Sequence, residues 1–365
     1  MSATKRVMRT RVSAAVVATC GLTMLVACSS SSDPNAVGSN STSVSPVIAV
    51  TGDIACDPES EDFNGGEGSY DSGTEEWQCM QRHVASTVAS IPGLVGVLTV
   101  GDNQYARGNS GQFDGSFGQE GSWGQFLNMA NRSQSLIHPT PGNHEYYNGK
   151  VTDADDYFQY FNGSTAPGST GPAGEFRKGW YSWDVGSWHL IALNGECKAL
   201  YGSATLCAPT TEEMQWLAND LKQNAANPDN KCIAAYWHRP LFTTGKDDPT
   251  PWVKSFWDLL YQYKADVVVN GHNHSYERYA KLNPDGKQDA NGIAEFVVGT
   301  GGNNLYKVIG KPNPPDGPLL ASQNTSYGVE AFTLQPDSYA YDFVPVVQNN
   351  PPFRDSGTTA CNSKQ

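Results

Sequence analysis

A chain of 365 residues with 38% hydrophobic and 11% aromatic content can bury a large core, as one big domain or two small ones. Its formal net charge is −13, and because residues 1–27 carry four bases and no acid, their removal would take it to −17. That balance excludes a nucleic-acid-binding surface, since phosphate backbones are held mainly by Lys and Arg.

At the N-terminus a basic stretch (Lys5, Arg6, Arg9, Arg11) precedes an apolar run from Val12 to Ala27. The run is too short, and too closely followed by Ser-rich sequence, for a membrane span, so residues 1–27 read as an export signal outside the fold. Its end, Leu25-Val26-Ala27-Cys28, resembles the lipobox of bacterial lipoproteins. The resemblance implies that Cys28 is acylated and holds the chain on the extracellular face of the bacterial cell membrane. A plain secretory signal with a chance Cys would give a secreted chain instead. Residues 28–45 are rich in Ser, Asn and Gly, the composition of a flexible tether. No second linker and no internal repeat follows, so residues 46–365 are expected to form one domain, touching the membrane only through the lipid.

Within that domain, β-branched apolar runs that stop at polar residues predict buried strands over Val47 to Thr51, Val95 to Val100, Cys232 to Trp237 and Asp266 to Val269. Helical spacing predicts helices over Glu76 to Ala89, Glu212 to Ala225 and Pro251 to Ala265. Thr210 with Glu213 forms a capping box for the second, and Pro251 stands at the first position of the third. Trp180 to Asn194 reads as a hairpin around Val185-Gly186, and Tyr327 to Pro345 as another around Pro336-Asp337. Parallel α/β units followed by hairpins predict a layered α/β sandwich with two mixed β-sheets flanked by helices. The Gly-, Ser- and Asp-rich stretches 103–124 and 148–179 are expected as loops around the mouth of a site.

Cys20 and Cys28 fall in the leader, which leaves Cys56, Cys79, Cys197, Cys207, Cys232 and Cys361, an even number suited to disulfides in an exported chain. Cys56 with Cys79 and Cys197 with Cys207 each close a short polar loop. The segment from Asp57 to Trp77 has eight acids and no base but no EF-hand spacing, so it reads as a solvated loop pinned by the first pair.

Five polar clusters each follow an apolar run: Gly52-Asp53, Gly101-Asp102-Asn103-Gln104-Tyr105, Gly142-Asn143-His144-Glu145, Trp237-His238 and Gly271-His272-Asn273-His274. Ligands in open α/β sheets gather beyond the carboxyl ends of strands, where each cluster falls. One alone would be a turn or a satisfied core histidine. Together they supply carboxylates, an amide oxygen, a phenol and imidazoles, the inventory for two adjacent metal ions.

In this order the clusters resemble the metallophosphoesterase (calcineurin-like) signature. Tyr105, three residues after Asp102, and the run Gly271-His272-Asn273-His274-Ser275-Tyr276-Glu277-Arg278 resemble its purple acid phosphatase branch. The resemblance implies that Asp53, Asp102, Tyr105 and His274 bind one ion and Asp102, Asn143, His238 and His272 the other, with Asp102 bridging. The first set, rich in anionic oxygen, suits Fe(III); the second, with two imidazoles, suits Fe(II), Zn(II) or Mn(II). It further implies that a metal-activated hydroxide hydrolyses phosphate monoesters, with His144 facing the substrate and protonating the leaving oxygen. For His144 the plainer reading is a support for Asn143 or Glu145. A phosphodiesterase or nucleotide-cleaving hydrolase with the same centre, and a metal- or phosphate-binding surface lipoprotein without turnover, remain the other readings.

The sequence also departs from the family. Ala55 stands where many metallophosphoesterases carry a His ligand and purple acid phosphatases a Gly, and Tyr105 would supply the missing ligand. A second substrate-binding His is expected about ten residues after His238, but position 248 is Asp, leaving Arg239 and Lys246 as candidate phosphate contacts. His83, His138 and His189 lie in a helical stretch, before a turn and in a hairpin strand, and receive structural roles. The aromatic run Tyr157 to Phe161 is expected to pack the domain.

Overall fold

The structure, a computed structural model, describes residues 45–73, 76–147, 153–306, 314, 317–346 and 352–362. The expected signal, Cys28 and, but for Ser45, the tether lie outside the described residues. No helix among those residues is long and apolar enough to cross a membrane.

In chain order the first half contributes β1 (Val47–Thr51), the hairpin β2 (Ser69–Asp71) and β3 (Glu76–Gln78), α1 (Gln81–Ala89), β4 (Leu94–Val100), the short α2 (Ser110–Gln112), β5 (Ile137–Thr140) and α3 (Asp155–Asn162). The small pair β6 (Thr170–Gly171) and β7 (Gly174–Glu175) precedes β8 (Tyr181–Val185), β9 (Trp188–Ala192), α4 (Cys197–Tyr201), α5 (Glu212–Ala225), β10 (Cys232–Tyr236) and α6 (Lys254–Gln262). The last part holds β11 (Val267–Asn270), β12 (Tyr276–Leu282), β13 (Ile293–Val298), β14 (Leu319–Gln323), β15 (Gly328–Leu334), β16 (Ser338–Pro345) and β17 (Ser356–Ala360).

The first sheet runs β17-β16-β15-β1-β4-β5 and the second β14-β12-β13-β11-β10-β9-β8. Strands β1, β4 and β5 are parallel, as are β9, β10, β11 and β13, while the outer strands join antiparallel. Ile48, Val50, Leu98 and Val100 of the first sheet pack with Trp188, Leu190, Tyr236, Val267 and Val269 of the second. Val97 points the other way, to a core with Val84 and Val88 of α1 and Phe158 and Phe161 of α3. Leu217 and Leu221 of α5 and Phe256 and Leu260 of α6 cover the second sheet. Burial of both sheet faces is why the central strands read as unbroken apolar runs rather than alternating ones. The expected sandwich of two mixed sheets flanked by helices is the fold observed.

The helix expected from Glu76 starts instead at Gln81. Residues Glu76–Gln78 pair with Ser69–Asp71, and Cys79, bridged to Cys56, turns at a positive φ of 57° that a helix cannot continue. The α5 cap is Thr211, whose Oγ accepts from Met214 N, while Glu213 accepts from Asn194 N at 2.6 Å, so no capping box with Thr210 forms. His138 lies in β5, stacked on Trp183 at 3.8 Å, rather than before a turn, and the expected loop 148–179 contains α3 and β6–β7. Both short disulfides are present. A third, Cys232–Cys361, ties the start of β10 in one sheet to the residue after β17 in the other. Cross-links of this kind contribute about 2–4 kcal/mol each.

His189 in β9 receives a sharper role than a hairpin position suggests. Its Nδ1 donates to Asp184 Oδ1 at 2.7 Å and its Nε2 to Asp220 Oδ2 at 2.8 Å, joining β8 and α5. Only an imidazolium carries both protons. Burial pulls its pKa down, but Asp220 and Asp184 outweigh burial and raise it above the usual 6.5. A raised folded pKa gives a contribution that is full below the unfolded value and is lost as pH climbs through the folded one. His189→Gln is therefore expected to lower Tm by roughly 2 °C more at about pH 5.5 than at about pH 9. Equal losses in thermal melts at the two values would remove the charged strut.

Candidate metal centre

Parallel strands from both sheets end at one place. Two residues beyond β1, β4 and β10 come Asp53, Asp102 and His238; Asn143 and His144 follow β5, and His272 and His274 follow β11. The backbone is bent hard there: Asp53, Asp102 and His272 all hold positive φ, at 60°, 46° and 70°. Side chains avoid that region, and such strain concentrates at functional sites. Gly142 is required because a Cβ on it would stand 2.3 Å from Asp102 Oδ1, and Gly299 because a Cβ there would stand 2.7 Å from Asp53 Oδ2.

All eight residues singled out in the sequence meet in this cluster. Tyr105 Oη lies 2.9 Å from Asp53 Oδ1, 3.1 Å from Asp102 Oδ2 and 2.8 Å from His274 Nε2. His274 donates from Nδ1 to the Asn304 carbonyl, which turns its Nε2 lone pair inward. Alongside, His238 donates from Nδ1 to the Val100 carbonyl and aims Nε2 at Asp102 Oδ2 (3.2 Å), Asn143 Oδ1 (3.3 Å) and His272 Nδ1 (3.2 Å). Asp102, His238 and His272 place one donor atom each within 4.8 Å of one another. Asp102 belongs to both groups. His144 donates from its backbone N to Asp102 Oδ1 (2.8 Å) and from Nδ1 to the Ala106 carbonyl (2.6 Å), leaving Nε2 free, 3.8 Å from Asp102 Oδ2.

The electrostatics are those of a cation site. One phenolic proton cannot serve the three acceptors around Tyr105 Oη, and burial together with Asp102 and Asp53 pushes that phenol's pKa well up. Burial opposes ionisation of Asp102, yet His238 and His144 hold it well below its usual range. Burial also opposes the charge on His238, which the Asp102 carboxylate nonetheless pushes up to about 10. His272 is held well below its range by burial, with His238 and Arg239 beside it, so it presents a neutral ring. Converging lone pairs and carboxylates, balanced by a proton on one imidazole, are a donor set that fits hard and borderline metal ions.

Sequence reasoning names Arg239 and Lys246 as candidate phosphate contacts, but the supporting roles of Glu145 and Asn273 escape it. Glu145, fully buried, accepts from Gly142 N at 2.6 Å and Gln104 N at 3.1 Å, clamping the loops after β5 and β4. Asn273, between the two histidines, holds Asp247 N and Thr243 Oγ1, and so fixes the loop carrying Lys246. Arg239 pairs with Glu196 at 2.7 Å and donates to His272 Nε2 at 2.9 Å, directly on the cluster. Lys246 is one ring further out, 4.3 Å above Tyr306, which stacks on His274 at 3.8 Å. The Gly-rich run Gly299-Thr300-Gly301-Gly302 after an apolar stretch was the available signal for the wall that carries Asn304 and Tyr306.

Two mixed sheets packed between helices, with acids, imidazoles, an amide and a phenol beyond parallel strand ends, define a metallophosphoesterase-like α/β sandwich. Residues 46–276 match the family model described as calcineurin-like phosphoesterase, and the chain belongs to that family. It is similar to probable purple acid phosphatase 20 of Arabidopsis thaliana, 27% identical over 278 residues that cover 74% of this chain and 59% of the relative. Acid phosphatase type 7 of Danio rerio is 30% identical over 230 residues, 55% of this chain and 48% of the relative. The chain thus spans about half the length of the curated relatives it matches. Among solved structures, purple acid phosphatase PPD1 from yellow lupin (Lupinus luteus) shares the fold, with a TM-score of 0.57, 16% identity, and coverage of 86% of this chain and 53% of that one. GAP50 of Plasmodium shares it too, with a TM-score of 0.56, 14% identity, and coverage of 88% and 90%.

Proposed function

We propose that this chain is an exported, metal-dependent phosphoesterase that hydrolyses phosphate monoesters at a dinuclear centre, held at the extracellular face through a lipid on Cys28. One observation carries the catalytic reading: two donor groups, Asp53, Tyr105 and His274 on one side and Asn143, His238 and His272 on the other, share the carboxylate of Asp102. The first group, with two carboxylates and a phenol, would hold Fe(III), and the second Zn(II), Fe(II) or Mn(II). A relative named Fe(3+)-Zn(2+) purple acid phosphatase 12, 24% identical, supports that pairing. Two such ions would supply an activated water and the positive charge that clamps phosphoryl oxygens.

The chain's own residues do the rest. His144, its Nδ1 proton held by Ala106, offers Nε2 as the atom that passes a proton to the leaving oxygen. Arg239, steered by Glu196, is the cation placed to meet the scissile phosphate. Were His272 to serve as a ligand through Nδ1, its ring proton would sit on Nε2, and the Arg239 guanidinium that now donates there would be free to meet an anion. Glu145 keeps Asn143 and Tyr105 in register by bonding the backbone beside each.

The test is metal analysis of residues 46–365 followed by turnover of a panel of phosphate mono- and diesters. Two metals per chain with monoester hydrolysis is the expected result. Diester cleavage alone, or two metals with no turnover, would overturn it. Lipid attachment is read separately, by detergent partitioning of the full chain and Cys28→Ser.

Tyr105 gives a spectroscopic check. A tyrosinate on Fe(III) absorbs in the visible, so the iron-loaded protein is expected to be coloured and Tyr105→Phe to bleach it while weakening that site. Some turnover should persist, because Asp53, Asp102 and His274 remain. A colourless wild type with iron confirmed in the site would remove Tyr105 as a ligand.

A further inference from the structure

The two flanks of the centre differ in chemistry. Arg239 and Lys246 stand against His272 and Tyr306. Beside His144 there is no cation in the run Pro141-Gly142-Asn143-His144-Glu145-Tyr146-Tyr147, and its one acid, Glu145, is buried and turned inward. What this run shows to solvent is an aromatic ring, Tyr147 being 60% exposed, with Arg107 exposed on the neighbouring loop. Its neighbour Tyr146 points inward, its phenol oxygen accepting from Asn194 at 2.7 Å.

The placement of Tyr147 follows from local geometry. Residues His144–Tyr146 form one 3-10 turn, closed by a hydrogen bond from Tyr147 N to the His144 carbonyl at 3.2 Å. With three residues per turn, positions i and i+3 eclipse, so the His144 and Tyr147 side chains leave on one side. Their ring centroids are 5.5 Å apart at 49°, and His144 in turn lies 4.3 Å from Tyr105. The exposed tyrosine is thus attached to the residue that, on the reading above, protonates the leaving group.

We propose that Tyr147 is a specificity-determining platform, against which a planar, uncharged leaving group packs while His144 protonates it. The substrate class is then an aryl phosphate, whose planar ring is bonded directly to the leaving oxygen, rather than a small alkyl ester. An aromatic face next to a site gains from covering its apolar area and from stacking, and needs no fixed hydrogen bond to do so. The inference rests on the phosphoesterase reading and on His144 marking the leaving-group side.

The experiment measures binding, so that turnover does not decide it. Affinities of metal-loaded wild type, Tyr147→Ala and Tyr147→Phe for phenylphosphonate and methylphosphonate are compared by calorimetry. The phenyl-over-methyl preference is expected to drop roughly five- to tenfold in Tyr147→Ala and to survive in Tyr147→Phe, because the ring and not the hydroxyl makes the contact. A merely structural role would shift both ligands together. An unchanged preference in Tyr147→Ala, or its loss in Tyr147→Phe, overturns the platform. The phosphoesterase reading fails differently, through phosphonates that bind and phenyl phosphate that is never hydrolysed.

Discussion

Asp102→Ala is expected to lose both metals and to lower kcat/KM by at least about 10³-fold. The carboxylate stands where the two donor groups meet: Oδ2 faces Tyr105 Oη at 3.1 Å and His238 Nε2 at 3.2 Å, and Oδ1 accepts the backbone N–H of His144 at 2.8 Å. Removing it takes an anionic oxygen from each set and unpairs His238, whose raised pKa derives from that carboxylate. Asn143→Ala is the contrast. It faces only His238 in the cluster, so its loss should weaken one site and spare the other. Elemental analysis of both variants reads this directly, with near-ultraviolet circular dichroism as a check on the fold. Two metals retained by Asp102→Ala would refute the bridging role.

The reason Asp102 could be picked from sequence is that its environment is announced locally. A β-branched run stopping at Gly-Asp marks a strand end, and five such stops in one chain name one corner of the fold. Tyr105 stands in the same cluster, three residues past Asp102, but its part as a ligand is what the resemblance to the purple acid phosphatase branch implies. What stayed hidden depends on pairs of distant segments. Glu145 matters because the loops after β4 and β5 touch, and the Asn304 carbonyl that orients His274 is backbone, which no residue type advertises. Cys232 and Cys361 are 129 residues apart, beyond any argument from short loops. Asp220 reaches His189 across 31 residues, so the imidazolium strut is invisible until α5 lies on β9. In the Glu76–Ala89 stretch, helical spacing lost to a cross-link: the Cys56–Cys79 bridge and the hairpin with Ser69–Asp71 took its first residues.

His144→Ala is expected to keep both metals yet lower kcat by roughly 10²-fold, the range for loss of a positioned proton donor. The structure explains why the two effects separate. The bond from residue 144 to Asp102 Oδ1 comes from the backbone N–H, which alanine retains, and neither imidazole nitrogen enters the two donor groups. The side chain removed is the one whose Nδ1 is held by Ala106 and whose Nε2 remains free at the edge of the cluster. A proton donor matters in proportion to how poorly the leaving group departs as an anion. The loss should therefore be near its full size on an alkyl phosphate and several-fold smaller on 4-nitrophenyl phosphate, whose phenolate leaves unaided. Measuring kcat for both esters, with metal content determined on the same preparations, separates the roles. Equal losses on the two esters, or a variant depleted of metal, would mean that His144 holds the centre together instead of protonating the leaving oxygen.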